Sequence, residues 1–166
     1  MHAILSIKEK FIASIQIGDI LTGLIGGTCS IFTLLLLSKN FGHIYIMAPF
    51  GATCVLLYAA SQSPLAQPKN IIFGHLISAV VGLLFLTFLP ISTLSIAVSV
   101  GCAIAFMQLF KCVHPPAGAN PLVILLTAHT THYDWTFLIF PVLSGAVILV
   151  MISMVIHQMK RCIEQK

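Results

Sequence analysis

The sequence predicts an all-α membrane protein, with about six transmembrane or broken helices in two inverted three-segment repeats behind a short N-terminal interfacial helix. Three observations predict it. First, 58% of the residues are hydrophobic and only 7% charged, at a mean hydropathy of +1.06, whereas a soluble domain carries about 25% charge. Four acidic and eight basic side chains cannot clothe 166 residues in water. Second, the apolar residues gather into six runs divided by short polar corners. Third, a Pro-x-Gly-Ala pattern occurs twice, at Pro49–Ala52 and at Pro116–Ala119, each time in a run that proline and glycine interrupt. The chain reads as one integral membrane domain, 1–166, with 1–17 as the interfacial segment, 18–89 as repeat one and 90–160 as repeat two. The net charge of +4 does not point to nucleic acid, because the lysines sit singly at the ends of apolar runs, where they mark topology.

In chain order, the opening segment mixes Ile4, Ile7, Phe11 and Ile15 with Lys8, Glu9 and Lys10, which suits a helix lying flat at the interface or a loosely ordered terminus. Ile20–Leu37 is uncharged and long enough to cross, with Asp19 placed to cap it, Gly23, Gly26 and Gly27 inviting a close neighbour, and Lys39 closing it. Ile44–Ala60 is shorter and broken by Pro49 and Gly51. A polar connector, Ser61–Asn70, follows, its turn closed by Gln67 and Asn70. Ile71–Leu89 is full length and carries Gly74, His75, Ser78 and Gly82; Pro90 makes a corner into Ile91–Phe110, again uncharged.

The stretch Lys111–Leu126, KCVHPPAGANPLVILL, is the second break. Pro115, Pro116 and Pro121 make a continuous helix costly, so His114–Pro116 is expected to be extended, with a helix starting near Ala117. A polar patch, His129–Trp135, leads into the last run, Phe137–Ile156, and a basic tail holds Lys160, Arg161 and Lys166. Trp135, Tyr133 and Phe137 would form an interfacial belt, with Tyr45 and Phe41 across from them.

Sliding the sequence by 67 residues lays Pro49-Phe50-Gly51-Ala52-Thr53 on Pro116-Ala117-Gly118-Ala119-Asn120, and Ile71–Leu89 on Leu138–Ile156. If all six runs cross from a cytoplasmic N-terminus, Lys8, Lys10, Lys69, Lys111, Lys160, Arg161 and Lys166 face the cytoplasm and Lys39 alone faces out. If the broken runs only dip in and return, Lys39, Lys69 and Lys111 all face out, which the positive-inside rule disfavours. Three crossings per repeat give the halves opposite orientation, the arrangement in which broken helices meet at a midplane binding site.

HPPAGANPL, APFGATCVLLYA and SPLAQPKNIIFGH, in the same chain, resemble the HPP family of integral membrane proteins, named for its His-Pro-Pro triplet; the resemblance runs from about Gly18 to Ile156. The family is generally described with four transmembrane segments, so the charge count and the resemblance differ unless the broken stretches are counted as re-entrant. Plastid and cyanobacterial members are linked to nitrite transport, which implies a small monovalent anion as substrate. Many members carry appended regulatory domains, and none is expected within these residues.

The expected site lies where the two Pro-x-Gly-Ala segments meet. Helix N-termini offer free N–H groups and about half a positive charge, so two of them form an anion site without a buried cation. Pro49, Pro115 and Pro116 set the breaks, Gly51 and Gly118 admit the anion to the backbone, Ala52 and Ala119 keep the spot open, and Thr53 and Asn120 add hydrogen bonds. The bland alternative is a tight crossing of two kinked helices. His114 would donate to the anion or take up a proton, or else bond a carbonyl freed by proline; His75 would serve the solute or an interhelical hydrogen bond. Lys69 and Lys111 would draw anions to the cytoplasmic mouth, or merely mark topology.

No metal and no cofactor is expected. Five cysteines lack C-x-x-C spacing and read as small hydrophobes, and His129, His132 and Asp134 read as a solvated corner. The sequence thus predicts a channel or secondary transporter for a small anion and no enzyme, with a non-transporting sensor or assembly module as alternative. Its partners would be the lipid bilayer, the anion and further copies of itself; its setting would be the bacterial inner membrane.

Overall fold

The structure, a computed structural model, describes residues 16–165. The interfacial helix expected over 1–17 lies outside the described residues except for Gln16 and Ile17, and Ile17 already opens the first helix. Helix α1 spans Ile17–Phe41 and ends at Gly42, whose φ of 71° is the left-handed turn that glycine takes without strain. Asp19 does not cap it; the carboxylate instead pairs with Lys160 at 2.5 Å. Non-helical residues 44–47 lead into α2, Pro49–Ala59. A single turn, Pro64–Ala66, then brings the chain to α3, Pro68–Phe88. Asn70 closes that turn as expected, its side chain donating to the Pro64 carbonyl at 2.8 Å.

Helix α4, Thr93–Leu109, starts at a capping box in which Ser92 and Ser95 bond each other's backbone N–H. His114 is extended, but Pro115–Ala119 wind as a 3₁₀ turn and α5 occupies Asn120–Thr127. The helix thus begins three residues later than the prolines alone suggest, because Pro121 fits best in the first turn, where its missing N–H has no partner to lose. Trp135–Leu138 form another turn, Phe140 is extended (φ −126°, ψ 114°), and α6 runs over Ser144–Glu164.

Among the described residues, three stretches are long and apolar enough to cross a membrane alone: Ile17–Phe41, Pro68–Phe88 and Trp135–Ile163. Helix α2 alone covers only ~16 Å, about half of a hydrocarbon thickness, and the non-helical residues 44–47 continue the first broken segment.

Contacts fix the direction of five segments, and the short connections of α4 to α3 and to the second broken segment fix the sixth. Asp19 of α1 meets Lys160 of α6, so these two run antiparallel. Phe50 lies against Gly145 while the Leu57 carbonyl accepts from His157, so α2 and α6 run the same way. Gly74 lies against His114 and Gly82 against Ile124, so α3 and the second broken segment also run together. Successive segments therefore alternate between two ends, as six crossings require. One end holds Asp19, Lys69, Lys111, Lys160 and Arg161, and the other holds Lys39, His43, His132 and Asp134. The basic end is the one the positive-inside rule assigns to the cytoplasm.

The outside is apolar throughout: Leu24, Phe32, Val55, Phe73, Leu94 and Met151 are all exposed. A water-soluble protein would bury such side chains, and lipid accepts them. Leu34, Phe50, Ile71, Ile124, Val142 and Leu149 form the fully buried core. Much of what else is buried is polar, including Ser30, Thr53, His75, Ser78, His114 and Asn120.

Candidate functional site

Thr53, His75, His114 and Asn120 come together where the two broken segments meet the middle of α3, and each is 0% exposed. The Thr53 hydroxyl lies 2.9 Å from His75 Nε2 and 3.0 Å from His114 Nε2. His114 Nδ1 sits 2.9 Å from the Leu65 carbonyl, which can only accept, so this nitrogen carries a proton. The Asn120 amide donates to the His75 carbonyl at 2.9 Å and lies 3.3 Å from His75 Nδ1.

One assignment of hydrogens satisfies all these contacts. Neutral His114 accepts the Thr53 hydroxyl proton at Nε2; Thr53 accepts from His75 Nε2–H; His75 Nδ1 accepts from Asn120. The chain of donors runs one way, from Asn120 to the Leu65 carbonyl. It also has room for one extra proton. If His114 becomes doubly protonated, Thr53 accepts from both imidazoles and turns its own hydrogen to the Pro49 carbonyl, 3.3 Å away.

Thr53 and Asn120 are the residues that the 67-residue shift superposes, and both bond to His75. Nearby, the Ser78 hydroxyl donates to the Ala117 carbonyl at 2.5 Å, tying α3 to the second break. Sequence spacing missed Ser78 as a partner, although Gly74, His75, Ser78 and Gly82 share one face of α3 at helical intervals.

The other expected residues are placed unevenly. Pro49 and Pro116 are buried beside the cluster and Pro115 is exposed. Gly51 and Ala52 lie on the exposed face of α2, turned away from the histidines; Gly118 and Ala119 are half-buried. A Cβ on Gly51 or Gly118 would meet nothing within 4 Å. Lys69 and Lys111 are exposed at the basic end. Zero exposure of the four polar residues means that no water-sized space touches them, so the meeting point is closed.

Space lies above and below it. At the outer end a cleft of about 580 Å³ is lined by His43, Met47, Val123, His132, Asp134 and Phe140. At the basic end a cavity of about 230 Å³ is lined by Ser61, Leu57, Ala66, Ser153, His157 and Arg161. Val123 is one helical turn from Asn120 on α5, and Leu57 is one turn from Thr53 on α2. The outer rim is aromatic: Tyr133 packs edge-on against Phe137, with ring centroids 4.9 Å apart, and Phe140 lies between His43 and Tyr45. Asp134 accepts from the Thr136 hydroxyl and, at 2.9 Å, from its N–H; these bonds hold its carboxyl below the usual range. Among the described residues no three His, Cys, Asp or Glu side chains gather as a metal site would need.

A family model described as HPP, transmembrane region, matches residues 12–164. Two transmembrane proteins of Dictyostelium discoideum are similar to this chain. One is 31% identical over 122 residues, covering 71% of this chain and 39% of the relative. The other is 32% identical over 120 residues, covering 70% and 42%. The matched region thus spans about two fifths of the length of these curated relatives. No solved structure matches.

Proposed function

This chain belongs to the family of HPP transmembrane-region proteins, and on that premise we propose that it is a channel or secondary transporter for a small monovalent anion, with nitrite the first candidate. The observation that carries this reading is the meeting of two broken segments on one buried imidazole, with a cavity from each end stopping one helical turn short. The two halves, related by inversion in this reading, supply Thr53 and Asn120 as equivalent donors. The closed cluster is the gate. Passage requires the bonds from Thr53 to His114 and from Asn120 to His75 to part. The freed hydroxyl, amide and imidazole N–H groups then face the anion, as does the backbone beside Gly118.

The spare place for a proton in the cluster gives a route to coupling, in which His114 is protonated as the anion enters. No covalent step is involved. Six short segments make a thin wall, and the exposed Gly51 and Ala52 on α2 allow another copy to pack closely, so the reading includes a homo-oligomer. The basic end faces the cytoplasm of a bacterial inner membrane.

Purified protein in liposomes is expected to carry nitrite or nitrate flux well above that of protein-free vesicles, and Gly118→Leu is expected to abolish it. A Cβ at position 118 would meet nothing within 4 Å, so the variant is expected to fold, which its unfolding temperature in detergent checks. Where flux depends on pH, His114→Gln is expected to remove the dependence. A second reading has one observation in its favour: the cluster is fully bonded without any solute, as a purely structural clamp is. A non-transporting membrane module would leave wild-type vesicles as tight as empty ones to every small anion.

A further inference from the structure

The cavity at the basic end has chemistry that sequence spacing left unassigned. Ser153, His157 and Arg161 recur every fourth residue on α6 and line one wall of it. Arg161 makes no ion pair among the described residues. Ser153 is 4% exposed, yet its hydroxyl has no hydrogen-bond partner among the described residues. Several hydroxyls within these helices bond the carbonyl four residues back, as Thr22 does to Gly18 and Thr127 to Val123, whereas Ser144, at the start of α6, is likewise unpartnered among the described residues. Ser153 instead lines the cavity with a free hydroxyl. Its neighbour His157 is already committed, Nε2 donating to the Leu57 carbonyl at 2.8 Å, and so shapes the wall. Among the described side chains the one carboxylate at this end, Asp19, is paired with Lys160.

An exposed guanidinium with no carboxylate partner among the described side chains shares one cavity wall with a buried, unpartnered hydroxyl two helical turns away, a pairing of donors that suits an anion with several acceptor oxygens. At about 230 Å³ the cavity is smaller than the ~300–1,000 Å³ of drug-sized sites and holds a small ion with part of its water shell. We propose, building on the transport reading above, that this cavity is the cytoplasmic entry site, where Arg161 and Ser153 bind a small oxyanion before it reaches the histidine cluster. Leu57, 5% exposed, separates the two as a plug. A lipid phosphate has the same chemistry, and the experiment separates the sources.

The full chain in phosphatidylcholine nanodiscs is titrated calorimetrically with sodium nitrate and sodium nitrite, gluconate holding ionic strength constant. Saturable binding is expected, weakened tenfold or more by Arg161→Gln and severalfold by Ser153→Ala. It is unchanged by Lys39→Gln, which removes the same unit of charge at the opposite end. Absence of binding, or equal losses in Arg161→Gln and Lys39→Gln, overturns the site. Native mass spectrometry supplies the other arm. Phosphatidic acid retained by wild type and lost by Arg161→Gln, without nitrate binding, overturns the entry role in favour of a headgroup site. Binding and flux fail separately. Arg161-dependent binding in a protein that passes no anion keeps the site and removes transport, while flux without such binding does the reverse.

Discussion

Thr53 has one hydrogen to donate and two imidazoles facing it, and that shortage sets the protonation pattern of the cluster. Thr53→Val keeps the shape and removes the bridge, leaving His114 Nε2 and His75 Nε2 without partners in a site that admits no water. In a membrane protein such a loss costs about 1–2 kcal/mol, the relaxed alternatives within the bilayer limiting it. Thermal unfolding in detergent is expected to show Thr53→Val below wild type, whereas Thr53→Ser, which retains the hydroxyl, stays near it. An equal drop for both variants would mean that packing of the methyl group, not the hydrogen bonds, holds the site. His75, His114, Thr53 and Asn120 were each legible as candidates, since polar residues in apolar runs stand out. Their mutual bonding was not, because it joins positions up to 61 residues apart.

At the scale of elements, the prolines announce both breaks and Gly26 admits the Tyr58 ring as a close neighbour, but the repeated glycines do not mark tight packing. Gly51 and Gly118 drew notice through the repeated pattern, yet a Cβ on either has free space. The tight places are elsewhere. A Cβ on Gly145 would run into the Phe50 ring and come within 2.6 Å of the Tyr45 carbonyl, and one on Gly74 within 2.8 Å of His114 Cβ and 3.0 Å of the Cys112 carbonyl. These glycines let α6 pack on α2, and α3 on the second broken segment, at close range. Gly145→Ala is therefore expected to destabilise by about 1–3 kcal/mol through overpacking, and Gly51→Ala to leave stability nearly unchanged. A detergent unfolding series comparing the two reads this directly; the opposite order would mean that α2 and α6 do not pack as described. Which glycine is crowded depends on the partner helix, and no single run of sequence contains that partner.

At the scale of the molecule, six segments alternate in direction and place Lys69, Lys111, Lys160 and Arg161 at one end, as the charge pattern alone had indicated. The sequence also located the meeting of the broken segments, because proline and glycine act locally on the backbone. It could not say that the meeting point is shut, since Thr53, His75, His114 and Asn120 are buried by packing between distant parts of the chain. Transport in this scheme requires that the closed histidine cluster open to water. That opening is tested by placing cysteine at Thr53 and applying a membrane-impermeant thiol reagent to each side of oriented vesicles, with mass spectrometry locating the label. Position 53 is expected to react slowly from the basic side and faster when nitrite is present. A cysteine there that never reacts from either side, in protein that still folds, would contradict it.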